Sequence, residues 1–148
     1  MSETPVIKNK KAYFEYSISD KIEAGIALHG SEVKSIRDGK ASLVDAYVLI
    51  KRGEAFVINC YVAPYSHSSD DKYNPRRARK LLLHKHELIK LETKLKQKGF
   101  TLVPLSLYFS RGRAKLEIGL GKGKQRFDKR DTIKKRELQR EIDRELKG

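Results

Sequence analysis

The sequence predicts a mainly β architecture with some α: a small antiparallel β-barrel of about six strands, two to three helices, and a basic C-terminal tail. Three observations predict it. Short runs of β-branched, aromatic and leucine residues alternate with polar ones and are punctuated by turn residues such as Arg52-Gly53 and Arg111-Gly112. Two stretches, 31–37 and 88–95, switch to helical spacing. From residue 122 the apolar periodicity stops, and Lys-Gly-Lys-Gln-Arg-Phe-Asp-Lys-Arg (122–130) has only Phe127 to bury.

Taken in order, residues 1–11 read as a basic N-terminal arm carrying Lys10 and Lys11, residues 12–121 as the barrel, and residues 122–148 as the tail. Residues 13–18 are β-prone, and Ala24, Ile26 and Leu28 alternate with smaller or outward positions, so two strands joined through 19–21 are expected. Residues 31–37 form a helix stopped by Gly39, with Val33 and Ile36 as its buried pair. Residues 47–51 and 55–58, separated by Arg52-Gly53-Glu54, make a hairpin by turn chemistry. The polar stretch 64–75 is a surface loop that delivers Arg76-Arg77-Ala78-Arg79-Lys80 into Leu81-Leu82-Leu83. His84-Lys85-His86-Glu87 has the spacing of a capping box, Leu88, Leu91 and Leu95 mark one helical face, and Gly99 ends that helix. Leu102 to Phe109 and Lys115 to Leu120 supply the strongest strand signals, and Pro104, which lacks an amide hydrogen, predicts an edge or a bulge. Among small antiparallel barrels, the OB type is the common nucleic-acid-binding form.

Charge narrows the partner. The 148 residues hold 33 Lys/Arg against 19 Asp/Glu, a net of +14. Residues 76–98 have 9 basic and 2 acidic residues, residues 122–148 have 11 and 6, and the remainder has 13 and 11. Two blocks therefore generate nearly all of the net charge, which points to nucleic acid; the alternative is a solvated charged face. The lone Cys60 cannot pair within the chain and fits a reducing cytoplasm. The start lacks an apolar segment of signal-peptide length, no run has the length needed to span a bilayer, and no basic stretch has a wide apolar face, so a membrane partner is not expected.

No motif points to catalysis, a metal or a cofactor. His84 and His86 lie one residue apart while His29 and His67 sit in other segments, which makes no zinc pattern. Gly119-Leu120-Gly121-Lys122-Gly123-Lys124 lacks the P-loop spacing and its Ser/Thr, and reads as a flexible strand exit. Ser66-His67-Ser68 has no orienting acid at a diagnostic spacing. The far tail, 131–147, has high helix propensity. Plotted as a helix, Leu138, Ile142 and Leu146 make a narrow stripe nearly opposite Arg136, Arg140 and Arg144. It reads as a surface helix on its own barrel, as a coiled-coil partner, or as a segment that folds when its arginine face meets phosphate.

Several blocks resemble, in order and at matching spacing, the small protein B (SmpB) family, the tmRNA-binding proteins of bacterial ribosome rescue. They are Ile22-Glu23-Ala24-Gly25-Ile26-Ala27-Leu28, Gly30-Ser31-Glu32-Val33-Lys34-Ser35-Ile36-Arg37, Arg79-Lys80-Leu81-Leu82-Leu83-His84, Leu105-Ser106-Leu107-Tyr108, and Lys122-Gly123-Lys124 followed by Asp128-Lys129-Arg130. The resemblance implies an OB-type barrel that grips the tRNA-like domain of tmRNA, one protein molecule per tmRNA. It also implies a tail that enters the decoding centre and vacant mRNA channel of a stalled ribosome, against small-subunit rRNA, forming a helix there.

It further implies RNA contacts at Glu23, Leu82, His84 and Lys115, with Lys10, Lys11, Arg79 and Lys80 as phosphate neighbours. In the tail it implies ribosome contacts at Lys122, Lys124, Arg126, Phe127, Asp128, Lys129, Arg130, Arg136, Arg140, Arg144 and Leu146. Some relatives carry Asn where this chain has His84, and some carry His where it has Phe127. By its chemistry Glu23 repels phosphate; it either accepts from a base amino or ribose hydroxyl, or forms a salt bridge that orients a lysine. Three functions stay in competition: the non-enzymatic rescue factor, a small basic structural ribosomal protein, and an RNA-processing enzyme, the last lacking any catalytic constellation.

Overall fold

A computed structural model describes residues 6–65, 72–123 and Arg140. The elements are β1 (Ile7–Lys8), α1 (Lys10–Glu15), β2 (Tyr16–Ile26), α2 (Gly30–Arg37), β3 (Ala41–Ser42), β4 (Tyr47–Lys51), β5 (Glu54–Ile58), β6 (Tyr61–Val62), β7 (Arg79–Leu82), α3 (Lys85–Leu95), β8 (Phe100–Ser110) and β9 (Arg113–Gly123). Strands β8, β4, β5, β7, β2 and β9 follow one another around an antiparallel ring, and pairing of β9 with β8 closes it. This is the small OB-type barrel expected, its ring narrowest where β4 meets β8. Strand β8 has its second edge divided: Leu102 pairs with Val48 of β4, and β1 pairs Ile7 with Leu107, so among the described residues β8 keeps no long free edge.

Alternation explains the interior. Ala24, Ile26, Val57, Leu81, Leu102, Leu107, Leu116, Ile118 and Leu120 point inward from successive strands, and Ile36 of α2 and Leu91 of α3 join the same core. The hairpin between β4 and β5 turns on Arg52 (φ 53°) and Gly53 (φ 74°), with Lys51 opposite Glu54. The β8–β9 hairpin turns in the same way on Arg111 (φ 52°) and Gly112 (φ 75°), the left-handed pair that matches strand twist. Pro104 is followed by a register shift before Ser106, the bulge that its missing amide hydrogen predicts.

Four expectations change. The two strands expected around 13–28 are one strand, β2, bent by a bulge between Ser19 and Ile22 in which Asp20 takes φ 46°. Tyr13 to Glu15 precede it as helix. Residues 7–11, read as part of an arm, are strand and helix, because Asn9 is buried and pins them: its Oδ1 accepts from the Ala12 amide at 3.3 Å and its Nδ2 donates to the Pro104 carbonyl at 2.8 Å. Lys122, assigned to the tail, lies within β9 between Ser17 and Phe100. In α2 the fully buried neighbours of Ile36 are Glu32 and Ser35, with Val33 only half-buried.

A second, smaller apolar cluster sits on the outside of the barrel, where Ala12 of α1 meets Val103 and Leu105 of β8 and Tyr16 and Ile18 of β2. Gly119 and Gly121 of β9 lie beneath it. A Cβ on Gly119 would stand 2.7 Å from Ile18 Cγ2, and one on Gly121 would stand 2.9 Å from Val103 Cγ2. These glycines, read as a flexible strand exit, are close-packed strand positions that let neighbouring side chains lie across β9.

One polar cluster ties the loop before β7 to α2. Glu32 and Arg79 are both buried and paired, with Arg79 Nε donating to Glu32 Oε2 at 2.7 Å. The other guanidinium nitrogens donate to the Cys60 carbonyl at 2.6 Å, the Pro75 carbonyl at 3.1 Å and the Tyr73 hydroxyl at 3.0 Å. Arg77 and the His29 amide also donate to Glu32. Burial pushes the Glu32 carboxyl up, but the hydrogen bonds from Arg77, His29 and Arg79, with the Arg79 charge, prevail and hold it at about 2 instead of 4.5.

Because the folded-state value lies below the unfolded one, this stabilisation is complete above about pH 4.5 and drains as pH falls through about 2. Glu32→Gln strands the Arg79 charge and is expected to cost roughly 3 kcal/mol at neutral pH. Denaturant midpoints measured against pH should then show a shallower acid limb for the variant than for the unaltered chain.

Candidate nucleic-acid interface

Strand register sets one row of side chains across the outside of four strands. Leu82 of β7 faces Gly25 of β2, Gly25 faces Lys115 of β9, and Lys115 faces Tyr108 of β8. In the next outward row Glu23 faces Glu117, and Glu117 faces Ser106. Toward the hairpin tip, Ser110 faces Arg113. These positions point outward because their neighbours Ala24, Leu81, Leu107 and Leu116 fill the core.

Leu82 is the anomaly in this row, an aliphatic side chain 56% exposed in a strand whose other leucine is buried. Gly25 beneath it explains the shape: a Cβ there would approach Leu82 Cβ to 3.2 Å. The result is an apolar ridge between two clefts. Gly25, Leu28, Val33, Arg113 and Lys115 line one; Lys80, Leu83, His84 and Leu88 line the other. An adjoining cleft is lined by Glu23, Ser110, Arg111, Arg113 and Lys115. Apolar ridges beside lysine and arginine suit the stacking and phosphate contacts by which looped RNA is held.

The sequence-expected contacts fall into three groups. Glu23, Leu82, Lys115 and Lys80 share this outer face, and His84 stands where β7 passes into α3. His84 is exposed; its amide donates to Glu87 Oε1 at 3.0 Å, the expected capping-box bond, and its ring stacks on His86 with centroids 5.5 Å apart. Lys80 reaches Glu54 at 3.7 Å across the surface, a contact water screens and RNA can displace. Lys10 and Lys11 lie on α1, and Lys11 borders a different groove with Asp45 and Tyr47, at 3.8 Å from both Glu15 and Asp45. Arg79 must be withdrawn as a phosphate neighbour: it is fully buried, with its guanidinium occupied by Glu32 and backbone carbonyls. In the tail, Lys122 is a strand residue with its ammonium 5.7 Å from the Phe100 ring centroid, and Arg140 is helical and exposed. Lys124, Arg126, Phe127, Asp128, Lys129, Arg130, Arg136, Arg144 and Leu146 lie outside the described residues.

Glu23 has a partner the sequence reading did not weigh. Tyr108 donates its hydroxyl proton to Glu23 Oε2 at 2.5 Å, and among the described residues Glu23 forms no ion pair. Burial, then the hydrogen bond and charge of Glu23, then the charge of Glu117 push the Tyr108 hydroxyl well above the usual tyrosine range, so it remains a donor. Tyr108, Arg113 and Gly25 belong to this face by position. The signal was available: a two-residue turn at Arg111-Gly112 places 110 opposite 113, and hence 108 opposite 115.

Comparison with known proteins gives a consistent answer. The SmpB protein family model matches residues 6–148. The SsrA-binding protein of Sulfurihydrogenibium sp. (strain YO3AOP1) is 51% identical over 148 residues, covering 100% of this chain and 97% of the relative. The SsrA-binding protein of Chlorobaculum tepidum is 51% identical over 137 residues, covering 92% of this chain and 87% of the relative. A chain in a solved structure described as "tmRNA-SmpB: a journey to the center of the bacterial ribosome" is 50% identical, superposes with a TM-score of 0.68, and shares 81% of this chain and 85% of that one.

The geometry separates Lys115 from Arg79 experimentally. Lys115→Ala should weaken RNA binding and lower the slope of log affinity against log salt by roughly 0.7 to 0.9. Arg79→Lys should instead lower the unfolding midpoint while leaving the salt slope of the folded protein unchanged. Binding titrations across a salt series, with melting curves of both variants, check the two together.

Proposed function

The chain belongs to the SmpB family, and on that premise we propose that its barrel holds tmRNA by the outer face around Leu82 and Lys115. It is a tmRNA-binding protein of trans-translation, with tmRNA and the ribosome as partners. The observation that carries the placement on the barrel is the row Leu82, Gly25, Lys115, Tyr108: an exposed apolar ridge and a lysine brought together by register, at positions the family resemblance assigns to RNA. The RNA element is the tRNA-like domain, taken one protein molecule per tmRNA. Phosphates supply affinity through lysine and arginine, and the ridge supplies shape.

The tail has a separate task. Its 10 basic residues over 124–148 carry the complex into the decoding centre and the vacant mRNA channel of a stalled ribosome, where rRNA phosphate draws it into a helix. The protein acts by binding and positioning, without turnover of its own, in the cytoplasm. Supporting these readings, the family is RNA-binding, and no helix among the described residues is long and apolar enough to cross a membrane.

Because β9 runs through Gly123, the informative truncation removes residues 124–148 and leaves the barrel's closing strand intact. The shortened chain is expected to bind tmRNA close to normally, to prefer it over an ordinary tRNA, and to lose tagging on stalled ribosomes. Titration against both RNAs, paired with a tagging assay, measures this; normal tagging by the truncated chain defeats the role given to the tail.

A further inference from the structure

A cationic RNA-binding face that places two carboxylates opposite each other needs explaining. Glu23 and Glu117 are direct cross-strand partners on β2 and β9, an arrangement that is unfavourable by itself and repels phosphate. Glu23 is also exposed, so nothing in the core fixes its side chain. The short hydrogen bond from Tyr108 does: it occupies Oε2 from the β8 side, while Oε1 makes no hydrogen bond among the described residues.

We propose that Tyr108 is a positioning residue that fixes the Glu23 carboxylate as a reader of unpaired nucleobase edges. The ligand is the exocyclic amine or ring N–H of a base not engaged in pairing. This rests on the tmRNA reading above and deepens it. An A-form duplex offers this carboxylate little: its pairing edges are occupied, its deep groove is too narrow for side chains, and its shallow groove presents 2′-hydroxyls and non-pairing base edges between rows of repelling phosphates. A looped RNA presents base donors that can bond to a fixed carboxylate, a charge-assisted contact stronger than a neutral one. Lys115, directly opposite Tyr108, holds the adjoining phosphate, so attraction and selection sit side by side in adjacent rows. Glu23 with Glu117 thus acts against duplex RNA as well as for the looped form, and discrimination requires both actions. Tyr108 remains neutral throughout, so its contribution is independent of salt.

The test uses the full-length chain, with Tyr108→Phe, Glu23→Gln and the double variant, titrated against tmRNA and a plain A-form RNA duplex over a salt series. Tyr108→Phe is expected to bind tmRNA roughly tenfold more weakly, the loss of one charge-assisted contact, with duplex affinity and salt slope unchanged. Glu23→Gln should lose tmRNA affinity and gain duplex affinity. The double variant should be no weaker on tmRNA than the weaker single one, because the two residues act as a unit.

Unaltered tmRNA affinity in Tyr108→Phe, equal losses on both RNAs, or additive losses in the double variant would each overturn the proposal. Equal losses are what a merely structural tyrosine gives. Failure of the unaltered chain to prefer tmRNA over duplex would overturn the tmRNA reading and this one with it. A retained preference that ignores Tyr108 overturns this one alone.

Discussion

The buried pair of Glu32 and Arg79 is the constraint on which the proposed RNA face depends. Strand β7 enters the barrel from a polar loop that has no apolar anchor of its own, and its first residue is an arginine with no exposed surface. Such a charge inside a barrel is tolerable only when every nitrogen is answered, and Glu32, Tyr73 and three backbone carbonyls do so. The pair fixes where β7 begins relative to α2. With the start of β7 fixed, the alternation that follows sends Leu81 inward and Leu82 outward. A slip of one residue would exchange them and remove the ridge altogether.

Register then distributes two jobs over the outside of β2, β9 and β8. One half of that surface is covered by α1, whose Ala12 rests on Val103 and Leu105, and β9 accommodates the cover by presenting glycine at 119 and 121. The other half is left open and carries Leu82, Lys115, Tyr108 and Glu23. Glycine serves both halves differently: under α1 it admits neighbouring side chains, while at 25 it leaves a low floor beside Leu82. The bulges at Asp20 and Pro104 lie between the halves in sequence and shift the alternation of β2 and β8, so that each strand can face a helix at one end and solvent at the other.

Much of this was legible in the sequence because it is encoded locally. The turns at Arg52-Gly53 and Arg111-Gly112 fixed two hairpins, Gly39 closed α2, and Pro104 announced its bulge, whereas α3 stops at Leu95 with Lys96 as its cap and Gly99 (φ 91°) serves the turn into β8. The resemblance named Glu23, Leu82 and Lys115 as RNA contacts, and register brings them to one face. What local pattern could not show was pairing at long range. Arg79 sits in a basic run and reads as a phosphate ligand until Glu32, 47 residues earlier, is seen beside it. Asn9 reads as part of a mobile arm until it bonds to Pro104, 95 residues later. The β2 bulge also misled, since Ser-Asp-Lys at 19–21 has the composition of a turn yet only bends a continuous strand.

Charge counting has the same limit, and it matters for how the RNA face works. The 76–98 block is a single basic run in sequence, with 9 basic and 2 acidic residues, but its arginines do not share a surface. Arg76 lies over the Tyr61 ring, Arg77 binds Glu32, and Arg79 is internal. Only Lys80 of that cluster reaches the outer face of the strands. The proposed RNA face therefore offers a few separated cations, Lys80, Arg113 and Lys115 among them, rather than a dense basic patch. Sparse cations bind phosphate without dictating which RNA is taken. On the proposed reading, selection falls to the uncharged and acidic members of the same rows, the leucine ridge and the tyrosine-held glutamate.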